Sequence, residues 1–183
     1  MSTLVGRDKT ALLVIDVQNG VVEGAYNLDS VLANIKTAVA KARAAGTPIV
    51  WVQHSDEEMP IDSEAWQIVD GLTPADSDPR VRKVFRSSFE ATNLEEVLAG
   101  LSVSHVVITG AQTNNCVRHT THSALERGYD VTLVSDAHTT TGYEWAGHTI
   151  SAKEIVDETN DNFGGYGLPG RGARTVTAEA LSF

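Results

Sequence analysis

Apolar residues recur along this chain in two alternating rhythms. Residues 11–17 (ALLVIDV) and 48–53 (PIVWVQ) are short, almost wholly apolar, β-branched runs, the pattern of strands buried on both faces. Residues 105–109 (HVVIT) and 130–135 (DVTLVS) repeat it. Between these runs the spacing changes. Val31, Ile35, Ala38, Val39 and Ala42 predict a helix over 30–45, ended by Gly46. Thr92 followed by Glu95 reads as a capping box opening a helix over 93–101. Further helices are expected over 115–127, stopped by Gly128, and over 146–162. Residues 81–85 read as a short strand or extended connector. The acidic stretch 54–78 reads as irregular with one helical turn around Trp66, and 174–177 as an edge strand. The Gly-rich segment 164–172 is no dinucleotide fingerprint, because it neither follows a buried strand nor opens a helix.

Strands alternating with helices predict a parallel sheet covered on both sides, and right-handed crossovers make it a doubly wound three-layer α/β/α domain. The 183 residues carry no internal repeat and no linker, so a single domain over 1–183 is expected. Twenty-four acidic residues against 14 basic ones leave a net charge of -10, with no Lys/Arg-rich run, which argues against nucleic-acid or anionic-membrane partners. No 18 apolar residues run together, and residues 1–10 lack the apolar core of a secretory signal. The single cysteine, Cys116, rules out an intramolecular disulfide and suits a reducing compartment, so a cytoplasmic location is expected.

In sheets of this kind ligands bind beyond the carboxyl ends of the strands. Asp16, His54 and Cys116 fall there. Asp16 interrupts an apolar run, where an unpartnered carboxylate is costly. Cys116 stands where a loop turns into a helix, and unpaired N–H groups at a helix start favour a thiolate, so a depressed thiol pKa is expected. Lys83 lies among other basic residues in VRKVFRSSF, and its local sequence alone assigns it no role.

Taken in order, LLVIDVQN around Asp16, RKVFRSSF around Lys83 and VVITGAQTNNCVRHT around Cys116 resemble the isochorismatase-like hydrolase superfamily, which includes nicotinamidases and N-carbamoylsarcosine and ureidoacrylate amidohydrolases. GYDVTLVSDAHTT resembles the strand after the nucleophile helix. The resemblance implies a six-stranded parallel sheet, a Cys116–Asp16–Lys83 triad, and a cis peptide between Ala111 and Gln112. With that triad, Cys116 attacks a carbonyl, Asp16 carries the proton and Lys83 stabilises charge, while the backbone N–H groups of Gln112 and Cys116 form the oxyanion hole. The expected activity is cleavage of an amide, ureido or lactam C–N bond in a small molecule, by a homodimer or larger homo-oligomer.

Metal-dependent nicotinamidases carry an Asp-x-His pattern and a further histidine where this chain has Gln53, His54 and Ser55, so no metal and no cofactor are expected. His119 and His122 diverge around the helix axis from Cys116 and read as surface or packing residues. Gln18, Asn19, Trp51, His54, Phe89 and Asn115 are the candidate substrate contacts, with Asn115 standing where the family carries an aromatic residue. Two alternatives remain at this point: vinyl-ether hydrolysis of the isochorismate type, which needs only the aspartate, and a non-catalytic binding member of the fold.

Overall fold

The computed structural model describes residues 2–183. β1 (Lys9–Ile15) is followed by a single helical turn, α1 (Asn19–Val22), and the long helix α2 (Leu28–Ala44). β2 (Ile49–His54) and β3 (Arg80–Lys83) come next, then α3 (Leu94–Gly100) and β4 (Val103–Ala111). A π-helical turn, Thr113–Val117, runs into α4 (Arg118–Glu126). β5 (Asp130–Thr139), a small hairpin of β6 (Tyr143–Trp145) and β7 (His148–Ile150), α5 (Ala152–Phe163), β8 (Gly167–Leu168) and β9 (Arg171–Val176) complete the chain.

The main sheet has the order β3-β2-β1-β4-β5-β9-β8. Its first six strands are parallel, and β8 adds a two-residue antiparallel rung to β9. The expected six-stranded parallel sheet is therefore present with a seventh, short strand outside it. Segment 174–177, read as an edge strand, lies in β9 as far as Val176; β8 pairs with β9 at Arg171 and Gly172, and residues 174–176 pair with β5 alone, as at a sheet edge. Strand alternation divides the core in two. Ala11, Leu13 and Ile15 pack with Leu94, Leu98, Leu125 and Phe163, placing α3, α4 and α5 on one face. Leu12 and Val14 pack with Val31, Ile35, Ala38 and Ala42 of α2 on the other.

Three local expectations are corrected. The helix expected over 146–162 begins only at Ala152, where Ser151 and Glu154 form a reciprocal capping box. Ahead of it Ala146 and Gly147 both have positive φ, +50° and +80°, the geometry of a two-residue hairpin turn. The capping box expected from Thr92 and Glu95 does not form. Thr92 Oγ1 instead accepts from Leu94 N at 3.2 Å and donates to Ser88 O at 2.6 Å, while Glu95 is drawn to Arg7 and Tyr129, each at 2.9 Å. The single helix expected over 115–127 is divided between the π-turn and α4, with Val117 N donating to Gln112 O at 3.2 Å in the wider i→i−5 pattern.

One close backbone approach and one buried histidine fix the chain on either side of that π-turn. Gly110, near the end of β4, has φ +124°, and a Cβ there would stand 2.0 Å from Ile15 O. Only glycine lets β4 pass so close to β1. His138, buried on β5, faces Thr113 Oγ1 at 2.9 Å through Nδ1 and Asn160 Oδ1 at 3.0 Å through Nε2, tying the turn to β5 and α5. Burial holds the His138 imidazole down to about 4, against the opposing pull of Asn160 and Asp136.

Two outcomes follow. Gly110→Ala should lower the thermal midpoint by more than about 5 °C, because the β1–β4 contact has no room to relax; differential scanning calorimetry checks it. Because His138 is depressed in the folded state, the unfolded chain takes up its proton first as pH falls. The stability of a buried neutral imidazole is then complete above pH 6.5 and lost progressively down to about 4, by about 3 kcal/mol. Urea unfolding between pH 7 and 4 should show this slope, and His138→Gln should remove it.

Candidate active site

The sheet order reverses direction between β1 and β4: the chain moves to one side through β2 and β3 and to the other through β5 and β9. A crevice opens at such a switch point, beyond the carboxyl ends of the strands. β1 delivers Asp16 there, β2 His54, β3 Lys83, and the turn after β4 Cys116. Asp16 ends its strand in the left-handed region, φ +50°, a conformation aspartate tolerates better than most residues. Its N–H still bonds Val52 O at 2.9 Å while its side chain leaves the strand direction.

Lys83 is the hub. Its Nζ lies 2.6 Å from Asp16 Oδ2, 3.1 Å from Cys116 Sγ, 3.2 Å from Phe85 O and 3.4 Å from His54 Nδ1. The Asp16 and Lys83 side chains have no exposed surface. No backbone N–H reaches either Asp16 oxygen, so the carboxylate depends on Lys83 and on the thiol beside it. A buried charge without its partner costs about 3–5 kcal/mol, which makes this pair structurally as well as chemically important.

The electrostatics correct the expectation of a depressed thiol. Burial first, then the Asp16 charge, push Cys116 up to about 12, outweighing Lys83. Burial likewise raises Asp16, opposed mainly by Lys83. The helix start that favoured a thiolate is overridden because one ammonium already neutralises one carboxylate. Losing the thiol proton to solvent would leave a net negative charge in a buried site. Passing that proton to Asp16 leaves the total charge unchanged. At rest the Cys116 thiol therefore keeps its proton beside the Asp16–Lys83 ion pair.

Cys116 opens into a cleft of about 560 Å³, with the buried Asp16 at its base. Of the six candidate substrate contacts, His54 and Asn115 line it. Asn115 Nδ2 donates to Gln112 Oε1 at 3.1 Å, and His54 Nε2 lies 3.1 Å from Asp56 Oδ2. The other four lie elsewhere. Gln18 is buried and laces two loops together, donating to His54 O and Trp66 O and accepting from His54 N. Asn19 holds Glu64 O and borders a neighbouring groove. Trp51 is a core residue whose Nε1 donates to Asp78. Phe89 packs against Tyr129 under the Arg127 guanidinium. The cleft also contains residues not singled out from sequence: Val21, Asp56, Glu58, Met59 and Arg86. Arg86 is three residues beyond Lys83 in the same motif, the one signal that pointed to it.

The Ala111–Gln112 peptide is cis, as the resemblance implies. His119 Nδ1 faces Asn115 O at 2.8 Å on the surface, and His122 packs against Phe163 and Tyr166. Among the described residues no group of three or more His, Cys, Asp and Glu side chains is placed to hold a metal ion. Nor is any helix there long and apolar enough to cross a membrane.

Comparison with known proteins agrees with this fold and motif order. The isochorismatase domain family matches residues 10–161. The uncharacterized isochorismatase family protein YrdC of Bacillus subtilis is 32% identical over 167 residues, covering 82% of this chain and 89% of its own. Ureidoacrylate amidohydrolase RutB of Enterobacter sp. is 28% identical over 179 residues, covering 75% and 78%. The crystal structure of an isochorismatase from Pseudomonas putida superposes with a TM-score of 0.84 at 26% identity, covering 97% of this chain and 94% of that one. With a family match across most of its length, and with the strand order and motifs that accompany it, the chain belongs to the isochorismatase family.

Proposed function

We propose that this protein is a hydrolase that cleaves a C–N bond of a small molecule, with Cys116 as nucleophile. The observation that carries this is the single buried ammonium of Lys83 bridging Asp16 at 2.6 Å and Cys116 at 3.1 Å at the base of an open cleft. The similarity to an amidohydrolase supports the bond type.

As the thiol attacks the substrate carbonyl, its proton passes to Asp16 and the S–C bond forms. The carbonyl electron pair moves onto oxygen. Backbone N–H groups of Gln112 and Cys116 receive that oxyanion; Cys116 lies in the first turn of its helix, where N–H groups lack ordinary intrahelical acceptors. Asp16 then returns the proton to the departing nitrogen and the C–N bond breaks; water attacks the thioester with Asp16 taking its proton, the S–C bond breaks, and that proton returns to the Cys116 sulfur as the acid leaves. The negative charge beside Lys83 starts on Asp16, passes to the carbonyl oxygen as the S–C bond forms, and returns to Asp16 when that group gives up its proton, so the total charge of the site is unchanged throughout. Vinyl-ether hydrolysis would require Asp16 but not Cys116, and the variants below separate the two.

A panel of primary amides, ureido acids and lactams, assayed for ammonia or amine release, supplies the substrate. Cys116→Ala should then lower kcat by at least about 1000-fold, and Asp16→Asn by about 100-fold or more, because its amide cannot take the thiol proton. Lys83→Met should lose less activity than Cys116→Ala while costing about 3–5 kcal/mol of stability, read by urea unfolding. Near-normal turnover by a folded Cys116→Ala protein would refute the mechanism.

The raised thiol gives a second test. Iodoacetamide should alkylate Cys116 at a rate still rising through pH 9 and 10, whereas an ordinary thiol of about 8.5 would level off there. Mass spectrometry reads this cleanly, since Cys116 is the one cysteine. An inflection at or below pH 8 would contradict the neutral resting thiol.

A further inference from the structure

The charged side chains of the cleft divide into those with partners and those without. Asp16 is held by Lys83. Asp56 is held by His54 at 3.1 Å and by the N–H groups of Glu58 and Met59 at 3.0 and 2.7 Å. The Met59 N–H first, then His54 and Glu58 N–H, keep its carboxyl below the usual carboxylate range. Two charges are left over on the cleft walls, the Arg86 guanidinium and the Glu58 carboxylate. Among the described residues neither side chain makes an ion pair or hydrogen bond, with each other or with anything else. Both are exposed, one cation and one anion, in the cleft that Cys116 also lines.

We infer that the cleft takes a zwitterionic substrate, its carboxylate against Arg86 and its ammonium group against Glu58, a reading that rests on Cys116 being the nucleophile. A ligand in the cleft shields both groups from water, and a neutral amide returns neither a partner. A simple anion satisfies Arg86 but is brought toward Glu58 in a protein of net charge -10. A simple cation satisfies Glu58 and leaves Arg86 uncompensated. A molecule with one charge of each sign compensates both. Arg86 offers the planar donor fork that matches a carboxylate, and the Asp56 side chain fixes the loop that carries Glu58 by bonding that residue's own N–H. The substrate class is thus an amide or ureide of an amino acid that keeps its free carboxylate and ammonium.

The test needs no knowledge of the natural substrate. Four iodoacetamides are compared, differing only in the substituent on nitrogen: ethyl, 2-carboxyethyl, 2-aminoethyl, and 2-amino-2-carboxyethyl. Each reacts alike, the S–C bond forming as C–I breaks, iodide leaving with the electron pair and the thiol proton passing to Asp16. Every rate is divided by that of the same reagent with glutathione. The expected result is saturable labelling of Cys116 by the zwitterionic reagent, with a normalised rate about tenfold or more above the neutral one. Arg86→Gln and Glu58→Gln, both at exposed positions, should each reduce that zwitterion-to-neutral ratio by about fivefold or more. A ratio near one in the native protein, a ratio that survives in both variants, or an equal advantage for the carboxylate-only reagent would overturn the inference. Turnover retained by Cys116→Ala would count against the nucleophile instead, so the two failures are told apart.

Discussion

One buried ion pair organises this protein. Asp16 and Lys83 come from strands separated by β2, and neither side chain has any contact with solvent. The carboxylate has no backbone donors, so without the ammonium it would stand as an uncompensated charge in the core. Keeping both requires β3 to dock in register on β2, with Lys83 opposite His54, and β1 to end where it does. It also sets the chemistry. Because the pair is already neutral, burial and the nearby carboxylate hold the proton on the Cys116 thiol, and in the mechanism proposed above it leaves by passing to Asp16.

The same pair shows how far the sequence can be read. Asp16 was visible as a polar residue in an apolar strand, and Cys116 as a thiol at a loop-to-helix turn. Lys83 was not distinguishable from its basic neighbours by pattern; only the resemblance of RKVFRSSF assigned it a role. The parallel sheet was legible because strands buried on both faces leave unbroken apolar runs. β5 runs past the expected 130–135 because its continuation, DAHT, is polar in sequence although His138 and Thr139 are buried by specific hydrogen bonds. The hairpin before α5 was hidden because an exposed two-strand element has no core-facing periodicity, while the capping box that starts the helix lay inside the expected span.

Substrate contacts were the least legible part, for a physical reason. Gln18 and Phe89 sit a few residues from Asp16 and Lys83, and Trp51 lies in the strand that ends at His54, but side chains alternate across a strand and loops turn away, so neighbours in the chain face different surroundings. Gln18 and Trp51 were spent on holding the framework. Other residues that line the cleft, Glu58 and Arg86 among them, come from irregular segments with no period to read. The thiol shift runs opposite to the local signal for a related reason. A helix start is a local feature, whereas burial and the nearby carboxylate are set by tertiary packing.

The most direct test of Cys116 as nucleophile is to trap what it forms. Turnover of the amide cleaved fastest is stopped with acid within milliseconds, and the protein is digested and weighed by mass spectrometry. The expected result is the acyl group, and only the acyl group, on the peptide containing Cys116, appearing before the product and disappearing as substrate is exhausted. Turnover with no acylated Cys116 at any time point, in wild-type protein and in a variant slowed in thioester hydrolysis, would contradict it.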